Sequence, residues 1–237
     1  MSFPIWRILK NMSKINVYLS KINPHLSQRV YNDLLQAISK ENRERCHRFR
    51  RKESALSTLY GELMLRHVLI RKFALKNHEI EIYKDELGKP YIKDSKVHYN
   101  ISHSGEFVVC AFSEQEVGID IEQIKDIDLR VARRYFCESE CKDLFTKAIM
   151  EQQDYFFTLW ALKESYMKWS GRGMSIALDS FCFRISDDGV SVTDINSEIT
   201  PYFKQIPFDG YKIALCSMIE NFEVAMEEIH VDDFKFE

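Results

Sequence analysis

The chain has 237 residues, of which 45% are hydrophobic and 29% are charged, and this is the composition of an ordinary water-soluble globular protein. Its length suits one large domain or two modest ones and is ample for a packed core. The formal net charge of -3 argues against general binding to nucleic acids, and no apolar run approaches the roughly 18 residues that a membrane-spanning helix needs.

The N-terminus and the cysteines indicate the cellular setting. The first residues, MSFPIWRILKNMSK, are apolar and basic, but Arg7 and Lys10 interrupt them before a secretory core forms, and no function is assigned to residues 1–14. The six cysteines lack paired metal-ligand spacing. Cys110 and Cys216 lie inside apolar, strand-like runs, where a free cysteine behaves as a small hydrophobic residue. A reducing cytoplasm therefore fits the sequence best.

The first half of the chain is predicted to mix helix and strand. Lys40–Glu53 (KENRERCHRFRRKE) is strongly basic, which indicates either a solvated helix face or a site for clustered phosphates, because arginines are bidentate donors to phosphate oxygens. Apolar residues then recur at helical spacing from Ser54 to Phe73. Further on, the pattern predicts strands at Glu79–Tyr83, Tyr99–Ser102, Phe107–Phe112 and Val117–Ile121, with turns at Gly88-Lys89-Pro90 and His103-Ser104-Gly105.

The second half repeats this order in outline. It predicts a helix over Asp154–Trp169, a turn at Gly171-Arg172-Gly173 and strands at Phe181–Ile185, Ser191–Ile195 and Tyr211–Met218. Two short segments recur about one hundred residues apart, which indicates an internal duplication, although matches this short also arise by chance. They are Thr58-Leu59-Tyr60 with Thr158-Leu159-Trp160, and Phe107–Ser113 (FVVCAFS) with Tyr211–Ser217 (YKIALCS). A real duplication predicts two similar α+β lobes with a ligand cleft between them.

Two acidic residues alternate along the short strand GIDIE that begins at Gly118. Because side chains alternate faces in a strand, Asp120 and Glu122 point the same way while Ile119 and Ile121 enter the core. Adjacent carboxylates repel each other unless a cation lies between them, and oxygen ligands of this kind suit Mg²⁺. The motif thus predicts either a metal site or an exposed strand end with two solvated acids.

A second set of chemically useful residues lies on the helix that contains WALKESYMK. Trp160, Glu164 and Lys168 are four residues apart and share one helical face. Glu164 and Lys168 could form an ordinary surface pair, but the aromatic ring on the same stripe indicates partial burial. A half-buried carboxylate needs a partner such as Lys168 or a metal ion. Lys163 points elsewhere, where it is either solvated or able to orient Glu164.

The hexapeptide NISHSG, from Asn100 to Gly105, is a third candidate. An adjacent serine and histidine do not make a hydrolase pair, because a catalytic triad needs a base and an orienting group arranged in space, and no G-x-S-x-G elbow is present. In a polar turn between strands, Ser102 and His103 could donate hydrogen bonds to a phosphate. An ordinary turn is the alternative.

Taken in order, the basic segment, LGKPYI, NISHSG, GIDIE and WALKESYMKWSGRG resemble the 4′-phosphopantetheinyl transferases of the larger, surfactin-synthetase-activating type. The resemblance runs from about Leu35 to Met218, and the ordered set is far more specific than GIDIE alone. It implies an α+β fold built as a pseudo-twofold pair of similar lobes, residues 15–117 and 118–237, with the active site in the interlobe cleft. It also implies transfer of 4′-phosphopantetheine from coenzyme A to a serine of an apo acyl or peptidyl carrier protein.

The resemblance further implies which residues form the site. Asp120, Glu122 and Glu164 match the magnesium ligands of the family, and Lys168 matches its active-site lysine. The coenzyme-binding positions of the family are matched by Arg45, Arg51, Thr58, Lys89, Pro90, Ser102, His103 and Lys168.

One position departs from the family pattern. Close relatives often carry a lysine in the basic helix where this chain has Asn42. The expectation is that Arg43, Arg45 or Arg51 compensates, so that the 3′-phosphate corner of the coenzyme site is less well defined than the metal site.

The implied mechanism uses Mg²⁺, for which Mn²⁺ is an alternative hard ion, to neutralise the coenzyme pyrophosphate. The carrier serine is the nucleophile, Glu164 the general base and Lys168 the group that stabilises charge on the departing 3′,5′-ADP. Part of Gln123–Leu144 is expected to dock the carrier, although a core-facing role suits most of its apolar residues. The resemblance also implies that the protein is a cytoplasmic monomer that acts in nonribosomal peptide or polyketide (antibiotic) biosynthesis. No nucleic-acid or membrane partner is expected.

Two other functions are consistent with the same residues. A metal-dependent phosphodiesterase or nucleotide hydrolase also uses carboxylates and a lysine, but two-metal hydrolases recruit more acidic or histidine ligands than the three carboxylates of these motifs. A noncatalytic module that binds coenzyme A or a carrier has no evident need for Glu164 and Lys168 beside Asp120 and Glu122.

Overall fold

The two halves of the sequence fold as two units in the computed structural model, which describes residues 14–234 and residue 236. Among these residues, the first unit contains 14–83, Pro90–Glu114, 223–234 and 236, and the second contains Lys84–Lys89 and Gln115–Phe222. The N-terminal residues to which no function was assigned lie, but for Lys14, outside the described part of the chain.

The regular elements are numbered in chain order. The helices are α1 (Gln28–Ala37), α2 (Lys40–Arg48), α3 (Lys52–Phe73), α4 (Ala132–Tyr135), α5 (Glu138–Thr146) and α6 (Ile149–Ser170). The strands are β1 (Lys14–Lys21), β2 (Ile82–Lys84), β3 (Pro90–Ile92), β4 (His98–Ser104), β5 (Phe107–Ser113), β6 (Val117–Gln123), β7 (Phe181–Ser186), β8 (Gly189–Asp194), β9 (Tyr202–Phe208), β10 (Tyr211–Ser217) and β11 (Glu223–Glu228).

The first unit is a four-stranded sheet covered by the long helix α3. Its strand order is β11-β1-β5-β4, with β11 parallel to β1 and the other neighbours antiparallel. Apolar residues surround α3 on nearly all sides, as expected of a helix that is buried along its length. Leu59, Tyr60, Leu63 and Met64 of α3 are fully buried in the core of this unit.

The second unit is a three-stranded antiparallel sheet, β6-β10-β9, against which α6 packs. The approach is close because β6 carries Gly118, where an added Cβ would lie 2.0 Å from the carbonyl oxygen of Ser165. The helix ends at Gly171, whose φ of +69° is the left-handed C-cap that glycine favours. This packing sets α6 directly over the GIDIE strand.

The two units share one topology. In the first, a strand (β1) is followed by helices and then by a hairpin (β4–β5) whose second strand pairs with β1. In the second, β6 is followed by α6 and by the hairpin β9–β10, whose second strand pairs with β6. The prediction of two similar α+β lobes is therefore confirmed.

Three local predictions were wrong. His103 and Ser104 continue β4 rather than forming a turn, because the reversal is made by Gly105 at a φ of +55°. The start of the predicted strand Glu79–Tyr83 is instead a short 3₁₀ turn that ends at Glu79. Residues 223–234 and 236, placed with the second lobe by the sequence, join the first unit because β11 adds to the edge of β1.

No helix in the described ranges combines the length and the apolar character needed to cross a bilayer.

Candidate active site

The acidic residues of β6 lie on the face of the sheet that α6 covers. Gly118, Asp120 and Glu122 alternate with Ile119 and Ile121, both of which are fully buried. Gly118 contacts the backbone of α6, so the carboxylates on the same side of the strand face that helix. Asp120 is buried and Glu122 is half-buried. A solvated strand end is therefore the wrong interpretation for Asp120.

The predicted stripe on α6 is present. Trp160, Glu164 and Lys168 are each half-buried, whereas most of their neighbours on the helix are fully buried. The ring of Trp160 packs on Phe156 with centroids 5.6 Å apart. The Nζ of Lys168 lies 2.6 Å from Oδ1 of Asp120, which joins the helix to the strand at the site.

Glu164 has an unusual electrostatic environment. Burial raises the pKa of its carboxyl above the ordinary value, and the neighbouring charge of Asp120 raises it further, while Lys168 acts in the opposite direction. Desolvation disfavours the charged form, and a like charge nearby does the same. A cation placed among these groups would relieve both effects.

The donor set suits a hard divalent ion, although the side chains do not form a closed cage. Within the described ranges, no three His, Cys, Asp or Glu side chains are gathered so as to hold a metal ion. Mg²⁺ characteristically uses one or two carboxylates and completes its shell with water and substrate phosphates. Asp120 and Glu164, whose charges interact, fit such an open site, and Glu122 lies on the same face of β6 as Asp120.

The sequence left open whether Lys163 is solvated, and the structure shows that it is not. It is fully buried, and its Nζ lies 2.8 Å from Oε2 of Glu140, which is equally buried. The same Nζ donates to the carbonyl oxygens of Leu178 and Phe181. Burial lowers the pKa of Lys163 and raises that of Glu140, because taking both charges out of water disfavours their ionised forms.

Lys89 and Pro90 lie near the end of α6 and at the start of β3, respectively. The Nζ of Lys89 donates to Glu116 and, at 2.8 Å, to the carbonyl oxygen of Trp169. The methylene chain of Lys89 also passes Gly171 at 3.3 Å from where a Cβ would lie. Lys89 therefore ties the loop before β3 to the end of α6.

Two arginines and a threonine of the first unit were predicted to contact the coenzyme. Arg45 and Arg51 are exposed, and the Arg45 guanidinium lies over the ring of Phe49 at 5.4 Å. Thr58 lies on α3, which begins at the residue after Arg51, and is half-buried. These three remain candidates for phosphate contacts.

Asn42 and Arg43 have structural roles. The Asn42 amide donates to Oε2 of Glu62 at 2.6 Å, inside a network that also includes Ser39 and Arg66. The Arg43 guanidinium donates to Gln36 and to the carbonyl oxygen of Ile38 at the end of α1. Of the three arginines expected to compensate for Asn42, Arg43 is thus already engaged.

Ser102 and His103 occupy successive positions of β4, so their side chains point to opposite faces. Ser102 is buried and His103 is exposed. The structure therefore does not present them together from one polar turn.

The segment proposed to dock a carrier is mostly core-facing. Ile124, Ile127, Leu129 and Tyr135 pack against the core of the second unit, and Phe136 is buried within it. The core-facing interpretation is correct for these residues.

The sequence missed a covalent link and a buried acid. Cys137 and Cys182 form a disulfide whose Cα atoms are 5.9 Å apart and whose residues are separated by 45 positions in the chain. Cys110 and Cys216 are free and buried, as predicted. Glu140 occupies the third position of α5, where a capping box with Cys137 is the one local signal of its presence.

Known proteins show what this arrangement belongs to. Residues 23–115 match the family model described as the N-terminal part of 4′-phosphopantetheinyl transferase, and residues 116–216 match that of the 4′-phosphopantetheinyl transferase superfamily. The 4′-phosphopantetheinyl transferase Sfp of Bacillus subtilis (strain 168) is 42% identical over 211 residues, covering 88% of this chain and 94% of that protein.

The chain belongs to the 4′-phosphopantetheinyl transferase superfamily. Similarity extends to the 4′-phosphopantetheinyl transferase gsp of Aneurinibacillus migulanus, 37% identical over 209 residues that cover 87% of each chain. The human L-aminoadipate-semialdehyde dehydrogenase-phosphopantetheinyl transferase is 28% identical over 218 residues, which cover 85% of this chain and 66% of that protein. The family predicted from the sequence motifs is therefore confirmed.

Proposed function

We propose that this phosphopantetheinyl transferase moves the 4′-phosphopantetheine group of coenzyme A to the serine of an apo acyl or peptidyl carrier protein, with release of 3′,5′-ADP. Membership of the superfamily supports the reaction type. The observation that carries the proposal is the 2.6 Å contact of Lys168 with Asp120, beside the half-buried Glu164. This contact supports the proposal because it joins an acid of the GIDIE strand to the lysine of α6, the helix that also carries Glu164.

The proposed metal ligands are Asp120, Glu122 and Glu164. When bound, Mg²⁺ or Mn²⁺ would supply positive charge to the coenzyme pyrophosphate. The carboxylates suit either ion because both are hard and prefer oxygen. Lys168 pairs with Asp120 in this structure, and we propose that it binds a substrate phosphate oxygen when the coenzyme is present.

Glu164 is the proposed general base. It takes the proton from the carrier serine, directly or through one water, as the serine oxygen forms its bond to phosphorus. The bond from that phosphorus to the nucleotide breaks, and the ammonium of Lys168 stabilises the charge on the departing 3′,5′-ADP. Because the nucleophile belongs to the carrier, the chain needs no serine or cysteine nucleophile of its own.

Eight residues are proposed to contact the coenzyme. They comprise Arg45, Arg51, Thr58, Lys89, Pro90, Ser102, His103 and Lys168. Exposed arginines such as Arg45 and Arg51 suit phosphate groups because the guanidinium donates two parallel hydrogen bonds. The engagement of Arg43 with α1 leaves these two as the proposed replacements for the cation that is missing at Asn42.

The proposed setting is the cytoplasm, with carriers of nonribosomal peptide or polyketide synthases as partners and the enzyme acting as a monomer. Size-exclusion chromatography with light scattering tests the last point. A mass of 28.1 kDa, that of one chain, is expected at assay concentrations, and a stable mass of twice that value would contradict it.

One assay distinguishes this activity from its alternatives. The chain is incubated with coenzyme A and Mg²⁺, with or without an apo carrier domain, and nucleotide release is followed by chromatography. The transferase releases 3′,5′-ADP only when carrier is present. Release of nucleotide without carrier supports a hydrolase. Saturable binding of coenzyme A, with no nucleotide released in the presence of any of several carriers, supports a binding module.

A further inference from the structure

A buried ion pair connects the helix of the proposed base to a neighbouring helix. Lys163 precedes Glu164 on α6, and its Nζ lies 2.8 Å from Oε2 of Glu140 on α5. Both side chains are fully excluded from solvent. Such a pair contributes little net stability because of its desolvation cost, but removing one partner leaves an uncompensated buried charge. Its geometry is therefore strongly constrained.

Glu140 also accepts hydrogen bonds from the backbone at two places, the start of α5 and strand β7. One carboxylate oxygen accepts from the backbone N–H of Phe183 at 2.7 Å, and the other accepts from that of Cys137 at 3.0 Å. Lys163 donates to the carbonyl oxygen of Phe181 at 2.7 Å. The pair therefore holds the start of α5, strand β7 and the catalytic helix in one register.

The Cys137–Cys182 disulfide closes this arrangement covalently. Cys137 is the N-cap residue of α5, and its own N–H is bound by Glu140. Cys182 lies between Phe181 and Phe183, the two strand residues that bind the ion pair. Both cysteines are half-buried, so they are accessible to small thiol reagents. The crosslink thus joins the start of α5 to β7, the same two segments that the Glu140–Lys163 pair binds.

We propose that Cys137 and Cys182 form a thiol-modification site, a reversible crosslink that positions Glu164 through Glu140 and Lys163. The role assigned to Glu164 rests on the proposed transferase function, whereas the crosslink and its effect on α6 do not. With the disulfide closed, the start of α5 and β7 cannot separate, and the register of α6 is held. With both thiols reduced, the start of α5 and β7 are held together by the ion pair and hydrogen bonds alone.

The chemistry is a thiol–disulfide exchange with a low-molecular-weight disulfide. One cysteine thiolate attacks a sulfur of that disulfide, forms a mixed disulfide and expels a small thiolate. The second cysteine thiolate attacks the protein sulfur of the mixed disulfide, closes the Cys137–Cys182 bond and expels the second small thiolate. Two protein thiols are oxidised, one small disulfide is reduced to two thiols, and the two protons pass to the released thiolates. A small dithiol reverses the reaction.

The first test is chemical. The chain is equilibrated with oxidised or reduced glutathione, alkylated, digested and analysed by mass spectrometry. The expected result is that Cys137 and Cys182 are alkylated only after reduction, while Cys141, one turn along α5, is alkylated in the same proportion under both conditions. Alkylation of Cys137 and Cys182 after oxidation would overturn the proposal.

The second test asks whether the crosslink acts on the catalytic helix. Hydrogen exchange of the backbone amides at residues 163–168 is expected to be slower in the oxidised protein, and the melting temperature higher by about 5 °C. Cys182→Ser should show the reduced behaviour under both conditions, and Cys141→Ser should behave as the unmodified chain does. Equal exchange at residues 163–168 in both redox states overturns the positioning role, even if the disulfide forms.

The third test separates position from mere stability. Reduction, or Cys182→Ser, is expected to lower kcat about threefold or more while the KM for coenzyme A stays within about twofold, because a displaced base affects the chemical step. Glu140→Gln should lower kcat in the same way under both redox conditions. If kcat is unchanged by reduction, the proposal is wrong.

Failure of the proposed function gives a different pattern. If no carrier is modified in either redox state, the transferase activity is wrong, and alkylation and hydrogen exchange still decide the crosslink. If carriers are modified at the same rate in both states, the function stands and the crosslink has no role in it.

Discussion

Two lysines five positions apart on α6 have opposite environments. Lys163 is fully buried against Glu140, whereas the side chain of Lys168 is 26% exposed and reaches Asp120. A fully buried charge pair cannot readily change partners, since each charge depends on the other for compensation. Lys163 is therefore suited to a positional role, and Lys168 to contact with a substrate phosphate.

At the residue scale, the first prediction concerns Glu164. Glu164→Gln keeps the size of the side chain but removes both the base and a metal ligand. The rate of carrier modification should fall about a hundredfold or more, with the melting temperature almost unchanged. Steady-state kinetics and thermal denaturation on the same samples check this.

The matched control is Glu151→Gln, which removes an exposed acid from the first turn of the same helix. It should leave the rate of modification within about twofold of the unmodified chain, because surface substitutions away from the site have small effects. A fully active Glu164→Gln, with the control also active, would remove Glu164 from the catalytic residues.

A second residue-scale prediction concerns the 3′-phosphate of coenzyme A. Arg45→Ala should raise the KM for coenzyme A about tenfold with little change in kcat, because the proposed charge-assisted contact would form in both the ground state and the transition state. Arg29→Ala, at an exposed arginine of α1, is the control. Equal KM values for the two variants would exclude Arg45 from the coenzyme site.

A third prediction concerns pH and His67 in the first unit. Burial lowers the pKa of His67 below the ordinary value of 6.5, and Arg71 lowers it further. In the acidic range the unfolded chain then binds a proton that the folded chain does not. The stabilisation is complete above pH 6.5 and declines as the pH falls from 6.5 towards the lowered pKa of the folded state.

Urea denaturation at a series of pH values measures this effect. The free energy of unfolding should fall as the pH drops below 6.5, and His67→Gln should flatten that part of the curve. An identical slope in the variant would show that another group is responsible for the loss.

At the scale of elements, the close approach of α6 to β6 depends on Gly118. A Cβ at that position would lie 2.0 Å from the carbonyl oxygen of Ser165 and 2.5 Å from the backbone nitrogen of Trp169. Backbone atoms cannot rotate away, so Gly118→Ala must force strand and helix apart. The expected loss in the free energy of unfolding is about 3 kcal/mol, accompanied by loss of carrier modification.

The first unit offers a control for this prediction. Gly61 lies on α3, and its added Cβ would lie 3.2 Å from a side-chain methyl group of Ile101, which can move. Alanine is also the better helix former, so Gly61→Ala should change stability by no more than about 1 kcal/mol. Chemical denaturation of both variants checks this, and equal losses would contradict the account of the β6–α6 contact.

The elements that the sequence predicted well have strong local patterns. The long helices and β5, β6 and β10 are apolar and buried, so spacing alone identified them. The edge strands β9 and β11 were missed because they carry polar and charged residues, and β9 also contains Pro207. The pairing of β11 with β1 joins opposite ends of the chain, and no local pattern encodes such a contact.

At the scale of the whole molecule, one topology occurs twice but only one copy carries the acids. In the matching sheets Tyr18 lies opposite Cys110, at the position where Asp120 lies opposite Ala214. Tyr18 lines a cavity of about 180 Å³ together with residues of α3 and β11, including His67 and Arg71. The repeated fold therefore provides a common scaffold, and the two copies differ in the side chains placed on it.

The candidate site was predictable to the extent that its residues lie in short motifs. Strand alternation placed Asp120 and Glu122 on one face, and helical spacing placed Glu164 and Lys168 on one stripe. The contact between strand and helix, the Glu140–Lys163 pair and the Cys137–Cys182 link depend on the tertiary fold. They join residues 23 to 48 positions apart, beyond the reach of any local spacing rule.

We propose that a site made by Asp120, Glu164 and Lys168 transfers phosphopantetheine to a carrier serine. The most direct measurement of this transfer is the intact mass of an apo carrier domain after incubation with the chain, coenzyme A and Mg²⁺. The carrier should gain the mass of one phosphopantetheine group, and this gain should be abolished by alanine at the carrier serine and nearly abolished by Glu164→Gln in the chain. Carriers of several synthase types that all keep their original mass, with a folded chain present, would contradict it.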